Sequence, residues 1–150
     1  MSPSEVADRL ALQALVTDYA YAIDERDFDA LDAIFTADAQ IDYRAMGGIA
    51  GAYPEIKAWL KTALAAFPAY MHLNGNLRFR LHGDRASGTV ACFNPMVLPE
   101  GLAETPGQTM FLGLWYHDDY LRTAEGWRIA RRSETKSYAY NVPSAMQAML

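Results

Sequence analysis

Cysteine is almost missing from this chain: Cys92 is the single one in 150 residues. No disulfide can therefore staple the fold, and neither a Cys-x-x-Cys redox pair nor a cysteine-rich zinc site can be built. Flanked by Ala91 and Phe93, the lone thiol reads as a buried apolar group in a reducing compartment. Positive charge is also in deficit. Thirteen Lys and Arg face eighteen Asp and Glu, a formal net charge of −5, so a nucleic-acid backbone or an anionic membrane is repelled overall. No stretch approaches the roughly 18 continuous apolar residues of a membrane span, and Met1-Ser2-Pro3-Ser4-Glu5 lacks a basic leader region. These absences give the expectation of a cytoplasmic protein without nucleic-acid or membrane partners. Internal repeats, low-complexity runs and linkers are absent as well. So are a Gly-x-Ser-x-Gly elbow and a glycine-rich phosphate loop, which leaves serine nucleophiles and nucleotide binding without support.

What is present is globular: 51% apolar and 21% charged residues, in a length that suits one domain, residues 1–150. Ser2, Pro3 and Glu5 form a helix-start signature, followed by Val6, Leu10, Ala14, Leu15, Ala22 and Ile23 at helical spacing up to about Asp24. Asp27 can cap a shorter helix carrying Phe28, Leu31, Ile34 and Phe35. Gln40 to Arg44 alternates as a strand does, and the spacing from Pro54 to Phe67 predicts another helix, closed by Pro68. Strands follow: Leu77–Leu81, Ala86–Phe93, Gln108–Leu121 and Trp127–Thr135, with turns at Gly83-Asp84 and Glu125-Gly126. Pro95, Pro99, Gly101, Pro106 and Gly107 mark a long irregular connection. The tail from Ser137 is too apolar for a free solvated end. Helices first and antiparallel strands after give an α+β domain, with helices packed on one face of a curved sheet around a ligand-sized cavity.

Three groups stand where such a cavity could open. Asp24 follows the apolar end of the first helix and reads either as a solvated helix-end carboxylate or as a functional one. His72 sits among apolar residues at the start of the sheet, where a core histidine bonded to a carbonyl is an equal reading. Tyr43 shares the face of Ile41, as a core aromatic or as a hydroxyl facing the cavity. His82 adjoins a turn and reads as exposed. His117-Asp118-Asp119 invites a metal, but adjacent strand residues point to opposite faces, so no metal site is expected.

The run from Ala22 to Leu31, then Ile41-Asp42-Tyr43-Arg44, His72 and the Gly126-Trp127-Arg128-Ile129 hairpin together resemble the scytalone dehydratase group of the SnoaL-like, nuclear transport factor 2-like superfamily. The resemblance implies a cone-shaped α+β barrel with N-terminal helices on a strongly curved mixed or antiparallel sheet. It carries the family's catalytic aspartate onto Asp24, its first histidine onto His72 and a water-binding tyrosine onto Tyr43. A second family histidine falls on Met96, a substrate-binding asparagine on or near Tyr116, and a tyrosine on Ile23, so recognition of scytalone itself is rewritten.

The expected function is a cofactor-free, dehydratase-like β-elimination on a small, hydroxylated aromatic or polyketide-type substrate, with His72 as base, Asp24 as its partner and Tyr43 as hydrogen-bond donor. Ile23, Phe93, Met96, Phe111, Trp115, Tyr116 and Tyr140 are the expected substrate-binding residues. The same dyad could serve an isomerase or a deformylating lyase, and the fold also serves non-catalytic ligand-binding modules. Apolar outer strands such as Phe111 to Leu114 give the expectation of a homo-oligomer, dimer or trimer.

Overall fold

The computed structural model describes residues 1–150 and contains two α-helices, short 3-10 helices and a seven-stranded sheet. Helix α1 (Pro3–Asp24) starts where its capping chemistry dictates: the Ser2 side chain accepts the Glu5 N–H at 3.2 Å, and Pro3 occupies the first turn, where no N–H is needed. Its buried face is Leu12, Leu15, Val16, Tyr19, Ala20, Ala22 and Ile23. Val6 and Leu10, expected on that face, are 40% and 62% exposed. On these first turns polar side chains meet the sheet instead: Asp8 accepts from Arg122 and from Trp127 Nε1, and Arg9 donates to the Phe79 carbonyl at 3.1 Å.

Asp27 accepts the Ala30 N–H at 3.3 Å, but it caps a 3-10 helix, Phe28–Ala33, rather than an α-helix. Strand β1 (Phe35–Asp42) begins at Phe35, earlier than the alternation at Gln40 suggests. It pairs with β2 (Ala50–Ala52) on one side. On the other it runs parallel to β7 (Gly126–Tyr140), with Asp42 opposite Ser133. Helix α2 (Tyr53–Ala65) follows directly. Gly48 lies between β1 and β2, where a Cβ would come within 2.8 Å of both the Trp59 ring and Tyr43, so only glycine fits there.

The remaining strands are β3 (Ala69–Tyr70), β4 (Leu73–His82), β5 (Arg85–Val97) and β6 (Thr109–Thr123). The order is β2-β1-β7-β6-β5-β3, with β4 also on β5. Pro95 lies inside β5 rather than ending it. Its missing N–H is tolerated at a position where its carbonyl is the group in use, accepting the Met71 N–H at 3.1 Å. Bulges curl this sheet: Ala130 is an extra residue between the pairs Asp119↔Arg131 and Tyr120↔Ile129, and Ser137 between Gly113↔Tyr138 and Leu114↔Lys136. The result is a strongly curled mixed sheet, a half-barrel closed by the helices, in the cone-shaped α+β arrangement that the resemblance implies.

Inside this half-barrel lies a continuous core of 28 buried residues. A fully shielded ion pair crosses it, with Arg132 Nε and Nη2 each donating to Asp118 at 2.7 Å. The guanidinium stacks on the rings of Tyr19 (4.2 Å) and Tyr116 (4.0 Å). The apolar tail is indeed not free: after Tyr140 it turns through a 3-10 helix, Ser144–Met146, and lays Met146, Met149 and Leu150 against the mouth of the cone. No helix is long and apolar enough to cross a membrane.

Candidate active site

The end of α1 and the start of β4 meet at Asp24 and His72. Asp24 Oδ1 lies 2.7 Å from His72 Nδ1, and both carboxylate oxygens accept the His72 backbone N–H, at 3.1 and 2.8 Å. Asp24 being an acceptor, Nδ1 carries the hydrogen and the Nε2 lone pair is left free. The chain arrives in this geometry because Arg26, held at a left-handed φ of 59°, donates to the carbonyls of Leu64 and Phe67 at 2.9 and 2.6 Å. Its guanidinium then covers the Tyr70 ring at 4.6 Å. The Tyr70 hydroxyl in turn donates to the Ile23 carbonyl at 3.0 Å, and Asn94 Nδ2 to the Met71 carbonyl at 2.9 Å. The two residues that precede His72 are thus anchored to α1 and β5.

His72 faces a cavity of about 300 Å³, lined by 22 residues of which 17 are hydrophobic. Volume and lining suit a one- or two-ring organic compound. Ile23, Met96 and Tyr116 line it as expected, and so does Tyr43. The Tyr43 and Tyr19 hydroxyls are 2.8 Å apart in the buried wall. Burial pushes Tyr19, Tyr43 and Tyr116 above the usual phenol range, Tyr43 and Tyr116 well above it. All three stay neutral and can donate hydrogen bonds.

Phe93, Phe111, Trp115 and Tyr140, expected among the substrate-binding residues, are on the other face of the sheet. Strand alternation decides this. On β6 the inward set is Met110, Leu112, Leu114 and Tyr116, so Phe111 and Trp115 point outward; on β5, Asn94 and Met96 point inward and Phe93 outward. Phe93, Phe111 and Tyr140 form a row of rings outside, with centroids 6.0 and 6.4 Å apart along it.

Most of the lining was not expected from the sequence, Trp59, Asn94 and Glu134 among it. Glu134 sits in Arg131-Arg132-Ser133-Glu134, inside the run from Trp127 to Thr135 expected as a strand. The bulge at Ala130 changes the alternation of β7, so that Ile129, Arg132 and Glu134 all turn inward. Burial is the largest influence on Glu134 and pushes its carboxyl up to about 8, against the opposing pull of Arg132. Cys92 is buried, as its neighbours suggested, and its thiol is pushed up to about 12 by that burial. His82 is exposed, and His117 Nε2 lies 2.8 Å from Thr135 Oγ1.

A family model for the SnoaL-like domain matches residues 4–133. The chain belongs to the SnoaL-like family. An uncharacterized Mycobacterium tuberculosis protein is 54% identical over 138 residues, covering 92% of this chain and 91% of its own. Among solved structures, hexachlorocyclohexane dehydrochlorinase LinA-type3 from Novosphingobium barchaimii superposes with a TM-score of 0.78 at 22% identity, over 93% of each chain. A scytalone dehydratase-type protein from Novosphingobium aromaticivorans does so with a TM-score of 0.77 at 18% identity, over 94% of this chain and 91% of that one. At these identities the two structures establish the cone-shaped α+β fold alone.

Proposed function

We propose that this SnoaL-like protein is a cofactor-independent lyase acting on a small hydroxylated aromatic or polyketide-type compound, with His72 as base and Asp24 as its partner. The observation that carries this reading is the 2.7 Å contact between Asp24 Oδ1 and His72 Nδ1 at the wall of a mostly apolar cavity. Asp24 fixes the tautomer and opposes the positive charge that arrives on the ring.

In the proposed reaction, Nε2 takes a proton from carbon and that C–H electron pair forms a new double bond. A substituent on the neighbouring carbon departs with its own bonding pair and collects the proton from Nε2. His72 is returned neutral and no redox partner is required. Tyr43 donates a hydrogen bond to an oxygen of the substrate on which charge develops. The family's fold hosts proteins named for related chemistry, a dehydrochlorinase and a dehydratase-type protein. The hydrogen-bonded pair beside a mostly apolar cavity weighs against a purely binding role.

The test is turnover of a panel of hydroxylated aromatic ketones, followed by mass spectrometry, in wild type beside His72→Ala. The variant is expected to lose product formation while its melting temperature stays close to wild type, because it keeps the backbone N–H bond to Asp24. Full turnover in the folded variant refutes the assignment.

A further inference from the structure

Glu134 is the only acidic side chain among the residues that line the cavity. Its Oε2 is fully shielded and has no hydrogen-bond partner in the protein. An ionised carboxylate left in that position is costly, whereas a protonated carboxyl is much less so and offers an O–H that needs an acceptor. The side chain has a defined place relative to the dyad. On β6, Glu134 pairs with Tyr116, and on β1 its neighbour Ser133 pairs with Asp42, which puts it beside Tyr43. His72 precedes Leu73, which pairs with Phe93 and through it with Gly113, so His72 is level with Asn94 and Leu112. From Leu112 to Tyr116 is about 13 Å at the usual rise of a strand. The proton acceptor and the unpartnered carboxyl are therefore well separated along the cavity.

We propose that Glu134 is a specificity-determining hydrogen-bond donor, which selects an apolar ring compound bearing a carbonyl or another uncharged oxygen acceptor at the end remote from the carbon that His72 deprotonates. This deepens the lyase reading and rests on it for the role of His72; the binding preference itself does not depend on turnover. Without an acceptor the buried O–H of Glu134 stays unpaired, so a hydrocarbon of the same shape forgoes that bond on entering.

The donor is present only while the carboxyl is protonated. The groups around it come from every neighbouring element: Arg132 on its own strand, Asp42 and Tyr43 at the end of β1, Tyr19 on α1, Tyr116 on β6 and Cys92 on β5. Arg132 and a hydrogen bond from the Met46 backbone N–H pull Glu134 down, whereas burial and Asp42 push it up, and burial dominates. Arg132 is itself committed to Asp118. The three tyrosines and Cys92 are held neutral by burial. Glu134 is thus the group around this end of the cavity that changes charge between neutral and mildly alkaline pH.

The experiment uses 1-tetralone and tetralin, two rings alike except for one carbonyl, titrated against the intact protein and followed by tryptophan fluorescence, since Trp59 lines the cavity. In wild type at pH 6.5 the ketone should bind about tenfold more tightly than the hydrocarbon, the worth of one buried hydrogen bond, and the ratio should collapse by pH 9.5. Glu134→Leu should give a ratio near one at both pH values. Glu134→Gln, whose amide donates at any pH, should keep the preference at both. His72→Ala should behave as wild type, so loss of turnover and loss of the preference separate. A ketone preference that survives Glu134→Leu, a wild-type ratio indifferent to pH, or no ketone binding to the folded wild type each overturns the proposal.

Discussion

Replacing Asp118 by Asn leaves the shape of the core almost unchanged and removes one charge from a pair that has no contact with solvent. Arg132 then keeps its positive charge, since a guanidinium does not deprotonate in a protein. It loses two charge-assisted bonds of 2.7 Å, and Nη1 is already without a partner. The Tyr120 hydroxyl, which donates to Asp118 Oδ2 at 2.8 Å, loses a charged acceptor as well. Breaking one side of a buried pair costs about 3–5 kcal/mol. Stacking on Tyr19 and Tyr116 at 4.2 and 4.0 Å survives and stabilises the orphaned cation by about 1–2 kcal/mol, but it is present in wild type too and offsets nothing new. The expected loss is therefore about 3 kcal/mol or more, a large share of the roughly 5–15 kcal/mol that holds a domain of this size together. Urea unfolding followed by circular dichroism should show the midpoint falling with an unchanged slope. The double variant Asp118→Leu with Arg132→Met, which removes both charges, should be more stable than Asp118→Asn. A loss below about 1 kcal/mol in Asp118→Asn, or a double variant worse than the single one, would refute the view that this pair is dry and mutually dependent.

Three further outcomes are expected. Asp24→Asn can offer one oxygen where the carboxylate offers two, so it should lower stability by about 1–3 kcal/mol and shift the His72 imidazole signals in a nitrogen–proton NMR spectrum; unchanged signals would contradict the tautomer assigned here. Glu134 binds its proton more tightly folded (about 8) than unfolded (near 4.5), so its contribution to stability is greatest below 4.5 and is lost as pH rises through 8, by on the order of a few kcal/mol; Glu134→Gln should flatten urea-derived stability between pH 5 and 8.5, and an unaltered slope would count against it. We also propose that a second copy covers the outer face where Phe93, Trp115, Tyr138 and Tyr140 are 40–67% exposed; Trp115→Asp should then reduce the mass seen by light scattering, and a wild type that is monomeric at micromolar concentration rules the contact out.

The helices were legible because capping and period are local: Ser2, Pro3 and the run ending at Ile23 predict α1, and Asp24 marks its last residue. The dyad was legible as a pair of positions, but not its geometry, since 48 residues separate its members and Arg26 alone adopts the left-handed turn that brings the chain around. Phe93, Phe111 and Trp115, expected to bind substrate, lie on the outer face for a reason the sequence contained. Met96 and Phe93 are an odd number of residues apart on one strand, as are Tyr116 and both Phe111 and Trp115, so they cannot share a face. Glu134 is different. Its inward turn depends on one extra residue in β7, and nothing in Arg131-Arg132-Ser133-Glu134 marks a bulge.

Asp24 holds the His72 backbone N–H as well as its ring. The carboxylate is therefore a seam between the first helix and the sheet, and selection for folding alone would preserve it. A descendant in which the proposed chemistry was lost would keep this aspartate while its imidazole drifted. In this chain the aspartate at the end of the first helix belongs to the architecture as well, and the proposed catalysis hangs on the histidine beside it.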